Sequence, residues 1–368
     1  MMRKKGYLVL EDGKIFEGFS FGEEKDVSGE IVFNTGMVGY PESFTDPSYF
    51  GQILIATYPL IGNYGVPSKD ISKNIPQNWE SDKIQIQGLI VSKDEESNTH
   101  WQSVINLSKW LKKEGIPALS GVDTRTLTKI IREKGVMKAF LTFSDPPFRR
   151  INFYDINSLN LVAKVSCKKP VSYGNGKLRI LLLDCGLKFN QIRLLLNHDA
   201  TVIRVPWNYD FFDPSRLLKF DALVISNGPG NPKMVKETVN LVKEALSRKI
   251  PTLGICLGNQ ILALAAGANT YKLKYGHRGQ NQPVIDEFTR KCFITTQNHG
   301  FAVDTKTLSS GFRPWFTNLN DHTNEGIKHE KLPFLSSQFH PEAAPGPTDT
   351  EWIFGYFIEE AKKWLKIN

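Results

Sequence analysis

The sequence predicts an α/β protein, with a doubly wound open sheet in its C-terminal half preceded by a smaller β-rich α+β domain. Short apolar runs broken by turn residues fill the first part of the chain, whereas later strands alternate with helix-length amphipathic segments. Lys, Pro and Gly collect between the two parts, over Cys167–Lys177. At ~150 residues a domain, the 368 residues suffice for two to three domains. We therefore predict a β-rich domain over residues 1–150, a linker region over 151–177 and the α/β domain over 178–368.

The N-terminal part carries four short runs rich in β-branched and apolar residues, each bounded by turn residues. The strands that these runs predict are Tyr7–Leu10, Ile15–Phe21, Glu30–Phe33 and Ile53–Thr57. Helical spacing over Trp101–Glu114, ending at Gly115, predicts a helix. A second helix is expected after Asp123, which would cap it, with Leu127 and Ile131 on one face.

The C-terminal part opens with Leu178–Leu183, a continuous apolar run typical of a strand buried on both faces of a parallel sheet. Strands and helices then alternate. The predicted segments are a helix through Ile192–Leu196, strands at Thr201–Val205 and Ala222–Ser226, a helix from Pro232 to Ser247, and a strand at Pro251–Ile255. Such alternation favours βαβ units.

Composition excludes several classes of protein. The four cysteines, none in a Cys-x-x-Cys pair, are too few for a disulfide framework, a zinc ribbon or an iron–sulfur protein, and favour a reducing compartment. The longest nearly apolar stretch, Ile261–Ala268, is far below the ~20 residues of a membrane-spanning helix. Only Tyr7–Leu10 follows the basic N-terminus, too short for a signal peptide. The net charge of +8 is spread thinly, which indicates a solvated surface rather than a nucleic-acid footprint.

The most informative segment is Pro251–Gln260, where an apolar strand ends at Cys256 and helix-like sequence begins at once. Gly254 and Gly258 flank the cysteine, as in a nucleophile elbow with Cys in place of Ser. The dipole of the following helix would favour the thiolate, and the N–H of Leu257 would be placed to receive an oxyanion. By this pattern alone, a buried structural cysteine beside two incidental glycines is an equal alternative.

A thiolate nucleophile needs a base, and His340 is the strongest candidate among seven histidines. Ser336–His340 reads as a strand, and Glu342 stands two residues further on, on the same side of an extended chain. Pro341 favours that local extension. Without the cysteine motif, a histidine such as His340 is more often a plain surface residue. The other six histidines are interpreted as structural or solvated. The nucleophile–acid–histidine order of α/β-hydrolases stays formally open through Asp286, Asp304 and Glu325.

A third candidate element is the loop Ser226–Pro232, which follows a predicted strand and contains Gly228-Pro-Gly230. Such a turn exposes backbone N–H groups to an anion or oxyanion at the edge of the sheet where ligands bind. The Gly-x-x-x-x-Gly-Lys-Ser/Thr pattern of a phosphate loop is absent from the chain. An ordinary strand-to-helix connection is the alternative reading of this loop.

Together, the Gly-Pro-Gly loop, Gly-x-Cys-x-Gly and His-Pro-Glu resemble the class I, or triad, glutamine amidotransferases. Gln297–Phe301 and Phe339–Pro347 resemble the glutamine-hydrolysing small-subunit family of carbamoyl phosphate synthetase. The N-terminal stretches that share this likeness are Gly29–Met37, Gly39–Tyr40, Thr45–Tyr49 and Gly121–Thr128. The resemblance covers essentially the whole chain.

The resemblance implies a flavodoxin-like sheet with Cys256 as nucleophile, His340 as base and Glu342 as the group that orients the base. The residues that it implies for binding L-glutamine are Ser48, Gly228, Gly230, Leu257, Gln260, Asn298, Gly300 and Phe301. Family members usually have His where Asn259 stands, Asp where Asn231 stands and often Ser where Ala344 stands. None of these three departures falls on the triad.

The resemblance further implies that ammonia released from glutamine passes to a large subunit, which makes carbamoyl phosphate from bicarbonate for arginine and pyrimidine biosynthesis. ATP and Mg would bind on that subunit, with no cofactor or metal on this chain. The N-terminal domain would face the partner, in a heterodimer or an assembly of heterodimers, without nucleic-acid or membrane contacts. The compartment would be the cytoplasm or the plastid stroma. A glutaminase subunit of another synthetase and a non-enzymatic regulatory relative are the alternatives.

Overall fold

The computed structural model describes residues 3–96, 99–146, 148, 151, 153–216, 218–309 and 311–367. The chain forms two compact units, the first from Met1–Ser72 with Pro76–Leu159, the second from Lys73–Ile75 with Asn160–Asn368. The boundary therefore falls inside the segment 151–177 that the sequence predicts as a linker. This segment is not free of regular structure, because a short helix and a strand of the second unit begin within it.

The first unit is built around a closed barrel of seven strands. Its elements in chain order are β1 (Lys5–Leu10), β2 (Ile15–Ser20), β3 (Val27–Asn34), α1 (Tyr40–Thr45), β4 (Gln52–Ala56), β5 (Val66–Pro67), β6 (Ile71–Ser72), β7 (Ile75–Pro76, which begins in the second unit), β8 (Gly88–Val91), β9 (Ser103–Ile105), α2 (Leu107–Lys113), β10 (Ala118–Ser120), α3 (Thr124–Lys134) and β11 (Met137–Thr142). The barrel order is β1-β11-β3-β4-β8-β10-β2. Closure leaves no unpaired strand edge in this part of the sheet. The four strands predicted from the sequence here are confirmed to within a few residues.

The helix predicted over Trp101–Glu114 is wrong in its first part. Residues Ser103–Ile105 form β9, which pairs with β5, and α2 begins only at Leu107. Asn106 caps α2, its Oδ1 accepting a hydrogen bond from the backbone N–H of Lys109 at 2.9 Å. Trp101 is 84% exposed, so the helical spacing that counted it as an inward residue was coincidental. The helix after Asp123 is confirmed as α3, with Leu127 and Ile131 buried.

The second unit is built on a ten-stranded sheet. Its elements are α4 (Val162–Val165), β12 (Val171–Tyr173), β13 (Leu178–Asp184), α5 (Phe189–Leu196), β14 (Ala200–Pro206), β15 (Ala222–Ile225), α6 (Lys236–Ser247), β16 (Thr252–Ile255), α7 (Leu257–Ala265), β17 (Asn269–Asp286), β18 (Cys292–Asp304), β19 (Phe312–Asn318), β20 (Asn324–His329), β21 (Phe334–Ser337) and α8 (Trp352–Leu365). The strand order is β12-β14-β13-β15-β16-β21-β20-β19-β17-β18. Its parallel core is β14-β13-β15-β16-β21.

Helices cover both faces of the parallel core, which makes the sheet doubly wound. Along β13, Ile180 and Leu182 pack in one hydrophobic cluster with residues of α5 and α8. Leu181 and Leu183 pack in the other cluster, with residues of α6 and α7. The continuous apolar run of this strand is thus explained by burial on both faces. None of the helices in the described ranges has the length and apolar character needed to cross a membrane.

Candidate active site

Cys256 stands in a sharp turn between β16 and α7, at the carboxyl end of β16. Its backbone has φ 54° and ψ −102°, a strained conformation for a residue with a side chain. A Cβ on Gly254 would lie 2.4 Å from the carbonyl oxygen of Gly258, and one on Gly258 would lie 2.1 Å from that of Ile225. Both glycines are therefore required for this turn, as the elbow pattern predicts.

The Cys256 side chain is buried and contacts β18 and the segment that follows β21. Its backbone N–H donates to the carbonyl of Ser337 at 2.8 Å, which fixes the turn to β21. The sulfur lies 3.7 Å from the carbonyl oxygen of Asn298 in β18 and 3.7 Å from Nε2 of Gln338, just after β21. The sulfur thus faces the strand that carries the predicted Asn298–Phe301 glutamine-binding residues.

His340 and Glu342 form a buried pair in the segment that follows β21. The backbone N–H of His340 donates to the carbonyl of Thr296 at 2.9 Å, and its Nδ1 lies 2.8 Å from Oε1 of Glu342. The predicted strand Ser336–His340 is too long, because β21 ends at Ser337, where its pairing with β16 also ends. Contact between the two side chains, which the i, i+2 spacing predicts, is nevertheless present.

The surroundings of His340 favour its protonated form. Burial lowers the pKa of the imidazole, but the charges of Glu342 and Cys256 outweigh burial and raise the pKa to about 10. With Nδ1 bonded to Glu342, Nε2 is the remaining ring nitrogen. It is buried, and Cys256 is the neighbouring side chain, besides Glu342, that raises the pKa of the ring. Nε2 is therefore the nitrogen available to a substrate or to the sulfur.

Glu342 is held by groups that the sequence did not single out. Gln191 donates from Nε2 to Oε1 at 3.0 Å, and Nζ of Lys188 lies 3.7 Å from the same oxygen. Burial raises the pKa of the carboxyl, but His340 and Lys188 together lower it to about 2. Lysine is rarely fully buried without a partner. The one signal in the sequence is that Lys188 lies in the short connection between β13 and α5, near the carboxyl edge of the sheet.

The Gly228–Gly230 loop lies against the cysteine turn. A Cβ on Gly228 would lie 2.0 Å from the carbonyl oxygen of Cys185 and 3.0 Å from Cδ2 of Leu257, so only glycine fits there. Gly230 has φ +86°, which also favours glycine. Leu257 opens α7, and the first N–H groups of a helix have no acceptor within it. The loop and the start of α7 therefore lie close together, next to Cys256.

Of the other predicted glutamine-binding residues, Gln260 donates from Nε2 to the carbonyl of Phe301 at 3.0 Å, so α7 and β18 meet at the site. Gly300 lies between Asn298 and Phe301 in the same strand. Ser48 belongs to the first unit, in a short 3₁₀ turn where Oδ1 of Asp46 accepts from its backbone N–H at 2.9 Å. Its contact with glutamine stays a prediction.

A second buried cluster lies in the antiparallel part of the sheet. His277, His299 and Glu325 each offer a ligand atom, all within 4.8 Å of one another, a spacing that could hold a metal ion. The two ring nitrogens of His277 face Glu325 at 3.3 Å and Asp321 at 2.8 Å. Burial lowers the pKa of His277, but these two carboxylates raise it to about 9. The imidazole of His277 is thus shared between two carboxylates.

Two family models match the chain. Glutamine amidotransferase class-I matches residues 181–360, and the carbamoyl-phosphate synthase small chain, CPSase domain, matches residues 8–141. The carbamoyl phosphate synthase small chain of Pyrococcus furiosus is 49% identical over 365 residues, 97% of this chain and 98% of that protein. The multifunctional protein CAD of Squalus acanthias is 50% identical over 96% of this chain and 16% of that protein. The multifunctional protein pyr1-3 of Dictyostelium discoideum is 47% identical over 97% of this chain and 17% of that protein.

An elbow cysteine beside a buried histidine–carboxylate pair, on the carboxyl edge of a doubly wound sheet, is the arrangement of a class I glutamine amidotransferase. The match over residues 181–360 agrees with this class. The whole chain belongs to the carbamoyl phosphate synthase small chain family, since it is 49% identical to a member along nearly the full length of both. Membership confirms the resemblance, the fold class and the function as a glutamine-hydrolysing small chain.

Proposed function

We propose that Cys256, His340 and Glu342 act as a triad that hydrolyses L-glutamine to glutamate and ammonia. The observation that supports this most strongly is the cysteine in a strained turn whose sulfur faces β18, with a histidine–glutamate pair buried beside it. Glu342 holds Nδ1 of His340, which leaves Nε2 to exchange protons at the reacting centre. The family relationship makes the side-chain amide of glutamine the natural substrate.

In the first half-reaction, the Cys256 thiolate attacks the side-chain amide carbon of glutamine. The carbonyl oxygen becomes an oxyanion, which the N–H of Leu257 and an N–H of the Gly228–Gly230 loop would receive. One such donor is typically worth ~3 kcal/mol in the barrier. Protonated His340 gives its proton to the departing nitrogen, the C–N bond breaks, and ammonia leaves a γ-glutamyl thioester on Cys256.

In the second half-reaction, His340 is neutral and takes a proton from a water molecule as that water attacks the thioester. The C–S bond breaks, glutamate is released and the Cys256 thiolate is regenerated, while His340 keeps the proton. The enzyme thereby returns to its starting state. Gln260, Asn298, Gly300 and Phe301 would hold the substrate.

The ammonia would pass to a large synthetase chain, which would bind ATP and Mg and form carbamoyl phosphate from bicarbonate for arginine and pyrimidine synthesis. Relatives that match this chain over only 16% and 17% of their own length carry further sequence beyond the matched region. A heterodimer of small and large chains, or an assembly of heterodimers, would be the working unit. No cofactor on this chain is required by the chemistry above.

Glutamate release from L-glutamine tests the triad directly, with and without the large chain. Cys256→Ser should reduce release by a factor on the order of a thousand or more. Cys292→Ser, at an exposed cysteine far along β18 from the site, is the matched control and should behave as wild type. Undiminished hydrolysis by Cys256→Ser would contradict the nucleophile. No hydrolysis by wild type, even with the large chain, would favour a regulatory protein.

A further inference from the structure

Gln338 is a buried side chain in contact with the sulfur of Cys256, and the mechanism above gives it no role. It stands two residues before His340, in the segment that follows β21. Its Nε2 lies 3.7 Å from the sulfur, within hydrogen-bond distance for a sulfur acceptor. Its Oε1 lies 3.0 Å from Nδ2 of Asn259 and 3.1 Å from Nε2 of Gln260. All three amides are buried.

The hydrogen bonds fix which end of the Gln338 amide faces the sulfur. A backbone carbonyl can only accept, so the contact with the carbonyl of Phe301 must come from the NH₂ group of Gln260. That NH₂ group also points at Gln338, which must therefore present its oxygen to Gln260. The NH₂ group of Gln338 is then left for Cys256. The contact of Asn259 agrees with the same orientation, because its own oxygen accepts from Oγ of Ser336 at 2.8 Å.

We propose that Gln338 is a further member of the catalytic machinery, which donates an N–H hydrogen bond to the Cys256 sulfur. This inference rests on the proposed role of Cys256 as nucleophile. Hydrogen bonds to an ionised acceptor are about twice as strong as those between neutral groups, so the donor favours the thiolate over the thiol. The same donor assists when the thioester is hydrolysed, because the sulfur then regains its negative charge.

Asn259 acts through Gln338 as a positioning residue, and Gln260 donates to the same oxygen of Gln338. Asn259 donates to Oε1 of Gln338 and thereby helps to aim the amide at the sulfur. Asn259 lies on the first turn of α7, three residues after Cys256 and on the same helix as Leu257.

The test is the rate at which iodoacetamide alkylates Cys256 in the full chain, measured against pH by peptide mass spectrometry. Iodoacetamide reacts with the thiolate. The alkylation rate of Cys256 at each pH therefore reveals the effect of the hydrogen-bond donor, and the measurement does not require glutamine turnover. The variants are Gln338→Met, which keeps the shape without the donor, and Gln338→Glu, which would turn a carboxylate oxygen toward the sulfur. Gln85→Met, a buried glutamine of the first unit, is the matched control.

Gln338→Met should slow alkylation at neutral pH about tenfold, as expected for loss of a hydrogen bond to a charged group. Gln338→Glu should slow it at least as much, and Gln85→Met should leave it unchanged. If Gln338→Met folds and Cys256 is alkylated as fast as in wild type at every pH, the proposal is overturned. If Gln338→Met does not fold, the same result in Gln338→Glu overturns it. Failure of the triad would show separately, as glutamate release undiminished in Cys256→Ser.

Discussion

Nζ of Lys188 lies 3.7 Å from Oε1 of Glu342, and both side chains are shielded from solvent. The ammonium group also donates to the backbone carbonyl of Ala343. The pair therefore ties the start of α5 to the segment that carries His340. Because a charge buried without its partner is costly, neither residue is expected to tolerate loss of the other.

Lys188→Met should lower the free energy of unfolding by about 3 kcal/mol, since it leaves the Glu342 carboxylate with one cation fewer. Urea denaturation of the full chain at neutral pH measures this change. Arg248→Met is the control, because the pair of Arg248 with Glu244 is largely exposed and should contribute less than about 1 kcal/mol. An equal decrease in the free energy of unfolding in the two variants would show that the buried pair stabilises the fold no more than the exposed one.

The His340–Glu342 pair should stabilise the fold most between about pH 4.5 and 6.5. The folded pKa of His340 is raised from 6.5 to about 10, so its contribution is complete below 6.5 and is lost as the pH rises through 10. The folded pKa of Glu342 is lowered from 4.5 to about 2, so its contribution is complete above 4.5 and is lost as the pH falls through 2. The unfolding free energies of wild type and Glu342→Gln should therefore differ most within this window. A difference that does not change with pH would contradict the pairing.

His277→Gln should reduce the unfolding free energy at pH 6 by about 2 kcal/mol, because it removes the cation that bonds to Asp321 and Glu325. The folded pKa of His277 is raised from 6.5 to about 9, so its contribution is lost as the pH rises through 9. Urea unfolding should thus show a much smaller loss at pH 10. His322→Gln, at an exposed histidine, should cost little at either pH.

Gly258→Ala should disrupt the turn at Cys256, since the added Cβ would lie 2.1 Å from the carbonyl oxygen of Ile225. We expect loss of glutamate release together with a lower unfolding temperature. Gly267→Ala is a useful comparison, because it has φ +91° but open space around the added Cβ. Backbone strain alone should cost it about 1 kcal/mol without loss of activity. Activity retained in Gly258→Ala would show that the tight turn is not needed.

Much of this site could be predicted from the sequence, because its main parts are local. The elbow around Cys256 and the His340–Glu342 pair each depend on residues within four positions of one another. Lys188 and Gln338 could not be predicted in the same way. Their roles come from contacts across 154 and 82 positions of the chain, which the strand order of the sheet alone creates. The start of α2 could not be predicted for the same reason. The pairing of β9 with β5 is a contact between distant residues, and it outweighs the local helical spacing that begins at Trp101.

The central claim is that Cys256 carries the γ-glutamyl group during turnover. Rapid acid quenching of the full chain with L-glutamine, followed by peptide mass spectrometry, measures this directly. The account predicts a γ-glutamyl adduct on the peptide that contains Cys256, absent when glutamine is omitted or when the variant is Cys256→Ser. Steady glutamate release with no adduct on that peptide, or with an adduct on another residue, would contradict it.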